Sequence, residues 1–133
     1  MPESKTKLPP GNGSKTWVFA DGWLPAKSAN GSKLESHEAL MILNTGSKPA
    51  NVALDFYFDK QPPIKGVPIR VEAERVVCLR LDHPIEIGGT ELPRLSQYAL
   101  RVRSDANVVV QFGRLDTTQP NLAYYTNVGY SEG

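Results

Sequence analysis

Apolar and polar residues alternate along much of the chain in short runs, which is the period-two pattern of half-buried β-strands. In the clearest run, residues 51–58, the side chains of Val52, Leu54, Phe56 and Phe58 fall on one face. Comparable runs predict strands at residues 38–44, 67–72, 75–81, 97–103, 107–115 and 122–130. Because no long amphipathic helical stretch appears between them, the pattern predicts an all-β fold, an antiparallel β-sandwich or barrel-like single domain.

Turn-forming residues separate these runs at short intervals. They occur at Asn30-Gly31, Thr45-Gly46, Pro62-Pro63, Gly88-Gly89 and Asp105-Ala106-Asn107. By residue type, 38–44 would also suit a helix, but the run is short and the turn that follows favours one strand of a hairpin. Pro68 has no N–H to donate, so the 67–72 strand is expected to lie at a sheet edge or to start at this residue. The three valines at 108–110 predict a strand that is buried on both faces.

The length of 133 residues fits one domain. Residues 1–15 are polar and rich in Pro, Gly, Ser and Lys, a composition that cannot form a core, so they are predicted to be a disordered tail. The folded domain is then expected to span residues 16–133. Its longest irregular segment, residues 24–36, is the kind of loop in which binding functions are often found.

Charge and apolar content exclude several classes of partner. With 15 basic and 14 acidic residues the chain lacks the positive excess of a nucleic-acid-binding protein. No apolar run has the length of a membrane span, and the first 15 residues lack a secretory signal, so we expect a cytoplasmic protein. The single cysteine, Cys78, lies in the apolar run 76–79 and is expected to be buried.

The sequence offers little catalytic machinery. It contains no glycine-rich phosphate loop and no nucleophile elbow. The potential metal ligands His37, His83 and Cys78 occur singly, so no metal site and no cofactor are expected. In an extended Ser36-His37-Glu38 segment, the histidine points away from its neighbours, which prevents a catalytic relay among the three. No catalytic residues are therefore assigned.

Two polar clusters suit binding. His37 can donate and accept, and Glu38 accepts on two oxygens, although Glu38 could instead pair with an arginine at the rim while His37 caps a turn. Gln111, Arg114 and Asp116 follow a strongly apolar strand, where charges need a partner or a ligand. Arg114 could present its guanidinium to a carboxylate or to hydroxyls with Asp116 holding it in place, or the two could simply form an ion pair.

The two tryptophans are the remaining candidates for a binding site. Trp17 shares a strand face with Phe19, which favours a place in the core. Trp23 follows Asp21-Gly22 in a turn and could be either a hydrophobic plug or a stacking surface for a flat ligand.

Several segments in this order resemble the sensory rhodopsin transducer family of small bacterial proteins. They are Trp17-x-x-Ala20-x-Gly22-Trp23-x-Pro25, Ser36-His37-Glu38, Ile42-Leu43-Asn44-x-Gly46, the Tyr-Phe-Asp-Lys stretch at 57–60, Arg75, Pro84-x-x-Ile87 and Val109-Val110-Gln111-x-x-Arg114-Leu115-Asp116. The resemblance implies a compact β-domain, a homotetramer and a cytoplasmic partner of a photosensory rhodopsin, with small-molecule binding, plausibly of sugars, in the wider family. It also implies site roles for Trp17, His37, Glu38, Asn44, Arg114 and Asp116.

The leading hypothesis is a non-enzymatic domain that binds a small polar ligand, a carbohydrate or a sugar acid. Its ligand-binding residues would be Trp17, Trp23, His37, Glu38, Asn44, Gln111, Arg114 and Asp116. The alternative is a signalling protein that docks on a membrane photoreceptor or on another protein. A third reading is an enzyme that uses His37 with Glu38 or Asp116 as an acid–base pair.

Overall fold

A computed structural model describes residues 10–28, 34–119 and 122–133 of the chain. The strands in these residues are β1 (Ser14–Trp23), β2 (His37–Asn44), β3 (Ala50–Phe58), β4 (Ile64–Val71), β5 (Arg75–Arg80), β6 (Gln97–Asp116), β7 (Ala123–Asn127) and β8 (Tyr130–Glu132). A short 3-10 helix, Pro84–Ile87, lies between β5 and β6. No helix in these residues has the length and the apolar character needed to cross a bilayer.

The strands form two antiparallel sheets that share β6. The first half of β6 lies in a sheet with the order β4–β3–β6–β1–β8, and its second half pairs with β2 and β7, with β5 on the far side of β2. This arrangement confirms the predicted all-β, antiparallel fold, and the sheet does not close into a barrel. Within the described residues β4 pairs only with β3, as expected for the strand that contains Pro68.

The core fills the space between the two sheets. Phe19 of β1 stacks on Phe112 of β6 with ring centroids 5.5 Å apart. Leu40 of β2 and the β3 residues Leu54 and Phe56 join the same buried cluster. Inward side chains of both sheets thus interdigitate in one apolar layer, which is the main source of stability in a domain of this kind.

The predicted turn at residues 105–107 is wrong, because β6 continues through it as one strand of 20 residues. The inward positions keep their period of two across this segment, with Ser104 and Ala106 half-buried. The polar residues face outward, where Asp105 accepts hydrogen bonds from Asn51 at 2.8 and 2.9 Å. Asp105 and Asn107, which are common in turns, therefore form hydrogen bonds to neighbouring segments here, at the point where β6 passes from one sheet to the other.

Two burial predictions also fail, for one physical reason. Cys78 is exposed, and Val76 beside it has 62% of its surface exposed. Val109, expected in a strand buried on both faces, is only half-buried. The sheet that contains these residues packs on the core with one face only, so every second apolar side chain points to solvent.

Some boundaries differ from the expected ones. β1 begins at Ser14, two residues before the expected start of the domain, and the N–H of Asn12 donates to Thr45 Oγ1 at 2.8 Å. The first nine residues of the predicted tail, and residues 29–33 of the long loop with the Asn30-Gly31 turn, lie outside the described residues. The strand predicted at 122–130 is divided into β7, which pairs with β6, and β8, which pairs with β1.

Candidate functional site

Glu38, one of the predicted site residues, lies at the centre of a buried polar cluster. Its side chain is fully buried and accepts the backbone N–H of Trp23 at 3.0 and 3.1 Å. Its two oxygens also accept the Tyr98 hydroxyl, in a short hydrogen bond, and Arg114 Nε at 2.9 Å. Residues from β1, β2 and β6 are thereby joined through one carboxylate.

The Arg114 side chain extends this cluster to the surface. Only 12% of it is exposed, and its guanidinium lies over the Tyr125 ring at 5.4 Å while also donating to the Tyr125 hydroxyl. The Asp21 carboxylate lies 3.7 Å away, and the Asp21 carbonyl accepts at 3.5 Å. The edge strand β7 is thus tied to the interior through Arg114.

Strand register explains why Glu38 and Arg114 meet. They lie directly opposite each other in the β2–β6 pairing, which runs without interruption past Gly113, so there is no bulge at that glycine. Gly22 allows the close approach of Tyr98, because a Cβ at this position would lie 2.5 Å from the phenol ring. The cluster therefore depends on pairing across the sheet together with one residue that has no side chain.

Burial and charge set the protonation states in the cluster. Burial raises the pKa of Glu38, and the hydrogen bonds from Tyr98, Trp23 and Arg114 act in the opposite direction. Burial and the charge of Glu38 raise the pKa of Tyr98 well above its ordinary value, so the phenol remains a donor. Although burial lowers it, the hydrogen bond and the charge of Glu38 give Arg114 a raised pKa overall.

Asp116 does not hold Arg114, contrary to one expectation from the sequence. Its Oδ1 accepts the N–H of Thr118 at 2.8 Å and the Thr118 hydroxyl, which caps the chain after β6. The ring of His37 is half-buried, and its Nδ1 lies 3.0 Å from the Glu35 carbonyl oxygen. No hydrogen bond or ion pair joins His37 to Glu38 or Asp116 within the part of the chain that is described.

The other predicted site residues lie apart from this cluster. Trp17 is buried, as its core interpretation predicts, and its indole N–H donates to the carbonyls of Val108 and Ser14 at 2.9 and 3.2 Å. Asn44 is buried, donates to the Lys48 carbonyl at 2.8 Å, and organises the β2–β3 connection. Gln111 is exposed on the outer face of the sheet. Of the eight predicted residues, the structure brings together Glu38, Arg114 and the backbone of Trp23.

Comparison with known proteins identifies the family. The sequence matches the model of the Anabaena sensory rhodopsin transducer family over residues 12–131. The chain belongs to this family. It is similar to the solved structure of Thermotoga maritima 1070, with 31% identity over 91% of this chain and 97% of that chain, at a TM-score of 0.79. No curated protein matches the chain.

The fold is also similar to that of the Anabaena sensory rhodopsin transducer itself. That similarity has a TM-score of 0.61 and 22% identity, over 74% of this chain and 94% of that chain. At this identity the match supports a shared fold. The family assignment confirms the resemblance carried by the segments from Trp17 to Asp116.

Two clefts open at the surface of this transducer-family domain. One, of about 510 Å³, is lined by Asn44 together with Lys15, Lys48 and Asn107. The other, of about 490 Å³, is lined by Leu24, Gln61, Asp82, Glu91, Leu92 and Arg94. Neither of these two clefts is lined by Glu38 or Arg114.

Among the described residues, one group of acidic and histidine side chains has the spacing of metal ligands. Ligand atoms of Glu35, Asp82 and His83 lie within 4.8 Å of one another. However, Arg80 donates to both Asp82 oxygens at 2.7 Å, and Arg94 lies 3.4 Å from one of them. These guanidinium groups already neutralise the carboxylate, and their charge opposes a cation.

Sequence reasoning missed two parts of the polar architecture. A buried phenol needs a hydrogen-bond partner, but the sequence pattern does not show that Glu38 is the partner of Tyr98. The pattern also does not show that Asp55 of β3 contacts Arg101 and Arg103 of β6. The structure brings these three together on the outer face of the other sheet. Two arginines at a spacing of two on one strand were the available signal.

Proposed function

We propose that this chain is a non-enzymatic, transducer-type signalling protein that acts by binding to protein surfaces in the cytoplasm. Its family membership supports this reading. So do the predicted acid–base residues, because Glu38 and Asp116 already accept hydrogen bonds from groups of the fold and His37 lies on a backbone carbonyl. The same side chains would otherwise be the first candidates for catalysis.

The observation that carries the proposal is the outer face of the β5–β2–β6 sheet. Its apolar face consists of Met41, Leu43, Val76, Cys78 and Val109, with Gln111 as its polar member, and Arg80 lies beyond Cys78 at the end of the face, paired with Asp82. Leu43 and Val76 expose 37% and 62% of their surface. Contiguous apolar patches of this kind, without charged side chains at the centre, are typical of protein interfaces.

We infer that the partner of this face is a second copy of the same chain. An uncharged patch brings no like charges together when it meets itself, as happens across a two-fold axis. The adjacent strand β5 pairs only with β2 in the described residues, so its outer edge can also take part. The homotetramer implied by the family resemblance is thus part of the same proposal, with this face as one of its interfaces.

Light scattering after size-exclusion chromatography tests this step. The wild type should have a multiple of the monomer mass of 14.6 kDa. Val76→Lys, which places a charge on the apolar face, should shift the protein toward the monomer. Val128→Lys is the matched control, because Val128 is 84% exposed and lies between β7 and β8. A monomeric wild type, or equal masses for the wild type and Val76→Lys, would rule out self-association through this face.

The apolar face could instead bind a membrane receptor, and a second experiment tests this alternative. The labelled chain would be titrated onto nanodiscs that contain a sensory rhodopsin, with empty nanodiscs as the control. If a monomeric wild type binds the receptor and Val76→Lys binds at least tenfold more weakly, the apolar face belongs to the receptor contact. If Val76→Lys and Val128→Lys bind equally well, it does not.

Binding of a carbohydrate or sugar acid is the second candidate function. At Glu38 and Arg114 a ligand would have to displace hydrogen bonds that these side chains make to each other and to Tyr98. A small ligand is favoured instead by Arg101 and Arg103, whose side chains are held in place by Asp55. Thermal shifts with neutral sugars and sugar acids test the function. An Arg114→Ala variant that keeps the shift of the wild type would exclude the predicted site.

A further inference from the structure

The outer face of the β3–β6 pair carries a buried carboxylate between two guanidinium groups. Asp55 has no exposed side-chain surface, and its Oδ2 accepts Arg101 Nε at 2.8 Å and Arg103 Nε at 2.7 Å. Its Oδ1 accepts Arg103 Nη2 and the N–H of Gly66, both at 2.9 Å. The two arginines, the guanidinium pair, are therefore held side by side by one group.

The guanidinium pair has donors left over. Arg101 uses only its Nε on Asp55, and Arg103 retains Nη1. Within the described ranges these remaining N–H groups donate to no protein atom, and the two side chains are 36% and 45% exposed. One bidentate arginine would suffice to satisfy Asp55, so the second guanidinium exceeds what the buried carboxylate requires.

Positive charge and an apolar surface lie next to these donors. Lys65 Nζ lies 5.6 Å and the Arg101 guanidinium 5.7 Å from the centroid of the Tyr57 ring. Lys65 thus adds a positive charge near Tyr57, beside the two arginines that contact Asp55. A mostly apolar hollow of about 200 Å³ adjoins Tyr57, and its other lining residues are Ala20, Phe58, Asp59, Gln97, Tyr98 and Ala99.

We propose that Arg101 and Arg103 bind the carboxylate or phosphate group of a small ligand whose apolar side rests on Tyr57. This inference rests on the second candidate function and gives it a site other than Glu38 and Arg114. A guanidinium matches the geometry of both oxyanions and donates two parallel hydrogen bonds. Because Asp55 already orients both side chains, binding need not order two long flexible groups.

Calorimetric titration with glucuronate, glucose 6-phosphate and glucose tests the proposal. The two anions should bind and neutral glucose should not, and affinity should fall with added salt. Which anion binds more tightly shows whether the group is a carboxylate or a phosphate. Arg101→Gln should weaken anion binding by about tenfold or more, as expected for a lost charged hydrogen bond. Arg103 keeps its two bonds to Asp55 in this variant, and a thermal melt checks the fold.

Arg70→Gln is the matched control. Arg70 is an exposed arginine of the adjacent strand β4 and pairs with Glu72 at 2.7 Å. Affinity in this variant should stay within about twofold of the wild type, since exposed pairs contribute little. Equal anion binding by Arg101→Gln and the wild type would overturn the proposal, as would equal losses in Arg101→Gln and Arg70→Gln.

The outcomes separate this site from the functions proposed above. Binding of glucose that is unaffected by Arg101→Gln would keep carbohydrate binding and remove this site. No binding of any of the three compounds near about 1 mM would remove the site and count against the small-ligand function. Self-association through the apolar face is measured by light scattering, and it stands or falls independently of these results.

Discussion

Replacing Arg114 with methionine would remove the cation from a fully buried carboxylate while keeping most of the apolar volume of the side chain. Glu38 would keep the N–H of Trp23 and the Tyr98 hydroxyl, which are both uncharged donors. The variant therefore separates two roles for Arg114. If the guanidinium neutralises Glu38, its loss destabilises the fold; if it is reserved for a ligand, stability changes little.

The expected loss is large for a single substitution. Breaking a buried ion pair by removing one partner costs about 3–5 kcal/mol, because the remaining charge stays buried without compensation. The 2.9 Å contact and the 0% and 12% exposure of the two side chains place this pair in that class. For a domain of this length, such a loss lowers Tm by roughly 10–20 °C.

The raised pKa of Glu38 determines how the stability loss of Arg114→Met should change with pH. The folded-state pKa of Glu38 is already above its ordinary value of 4.5 and should rise further without Arg114. A carboxyl group with a raised folded-state pKa stabilises the fold most fully below its unfolded pKa and loses that contribution as pH rises through the folded one. The deficit of Arg114→Met relative to wild type should therefore be small near pH 4 and grow toward pH 7.

Urea unfolding followed by tryptophan fluorescence measures this difference at each pH. Arg70→Met is the control, because Arg70 and Glu72 are 57% and 60% exposed and their pair should contribute only about 0–1 kcal/mol. Adding Glu38→Gln to Arg114→Met should recover stability at neutral pH, since no buried charge remains. A deficit below about 1 kcal/mol, or one that does not change with pH, would refute the neutralising role.

Two further predictions concern the other polar and close-packed positions. The hydrogen bonds of Arg103 and Arg101 hold the pKa of Asp55 below its ordinary value of 3.8, so its contribution is present above that pH and is lost as pH falls. Asp55→Asn should therefore flatten the acid side of a plot of urea midpoint against pH, and an unchanged acid side would contradict this. Gly22→Ala places a Cβ 2.5 Å from the Tyr98 ring and should cost about 1–3 kcal/mol in urea unfolding; a loss below about 0.5 kcal/mol would show that the ring can move away freely.

Local patterns predicted the strands because the direction of a side chain depends on the backbone next to it. Alternation at 51–58 and the short apolar run within 75–81 were sufficient to place β3 and β5. The apolar run could not show which face of β5 is covered, so Cys78 was expected to be buried and is exposed. The turn predicted at 105–107 failed similarly, because residue types common in turns also suit an outward strand position that has a polar partner.

The polar clusters required knowledge of contacts between distant parts of the chain. The sequence suggested Asp116 as the partner of Arg114, because the two share a strand face. In the structure the carboxylate that contacts Arg114 most closely comes from Glu38, 76 residues away. The sequence likewise contains Tyr98, Arg101 and Arg103, but it does not show that Tyr98 contacts Glu38 or that the two arginines contact Asp55.

The sequence by itself thus determined most of the strands, the edge position of the strand that contains Pro68, and the family. Only the tertiary structure decided that Glu38 and Arg114 compensate each other in the interior and that the guanidinium pair faces outward with donors to spare. The physical reason is that strand formation is governed by neighbouring residues, whereas register and sheet order are set by the packing of the whole domain.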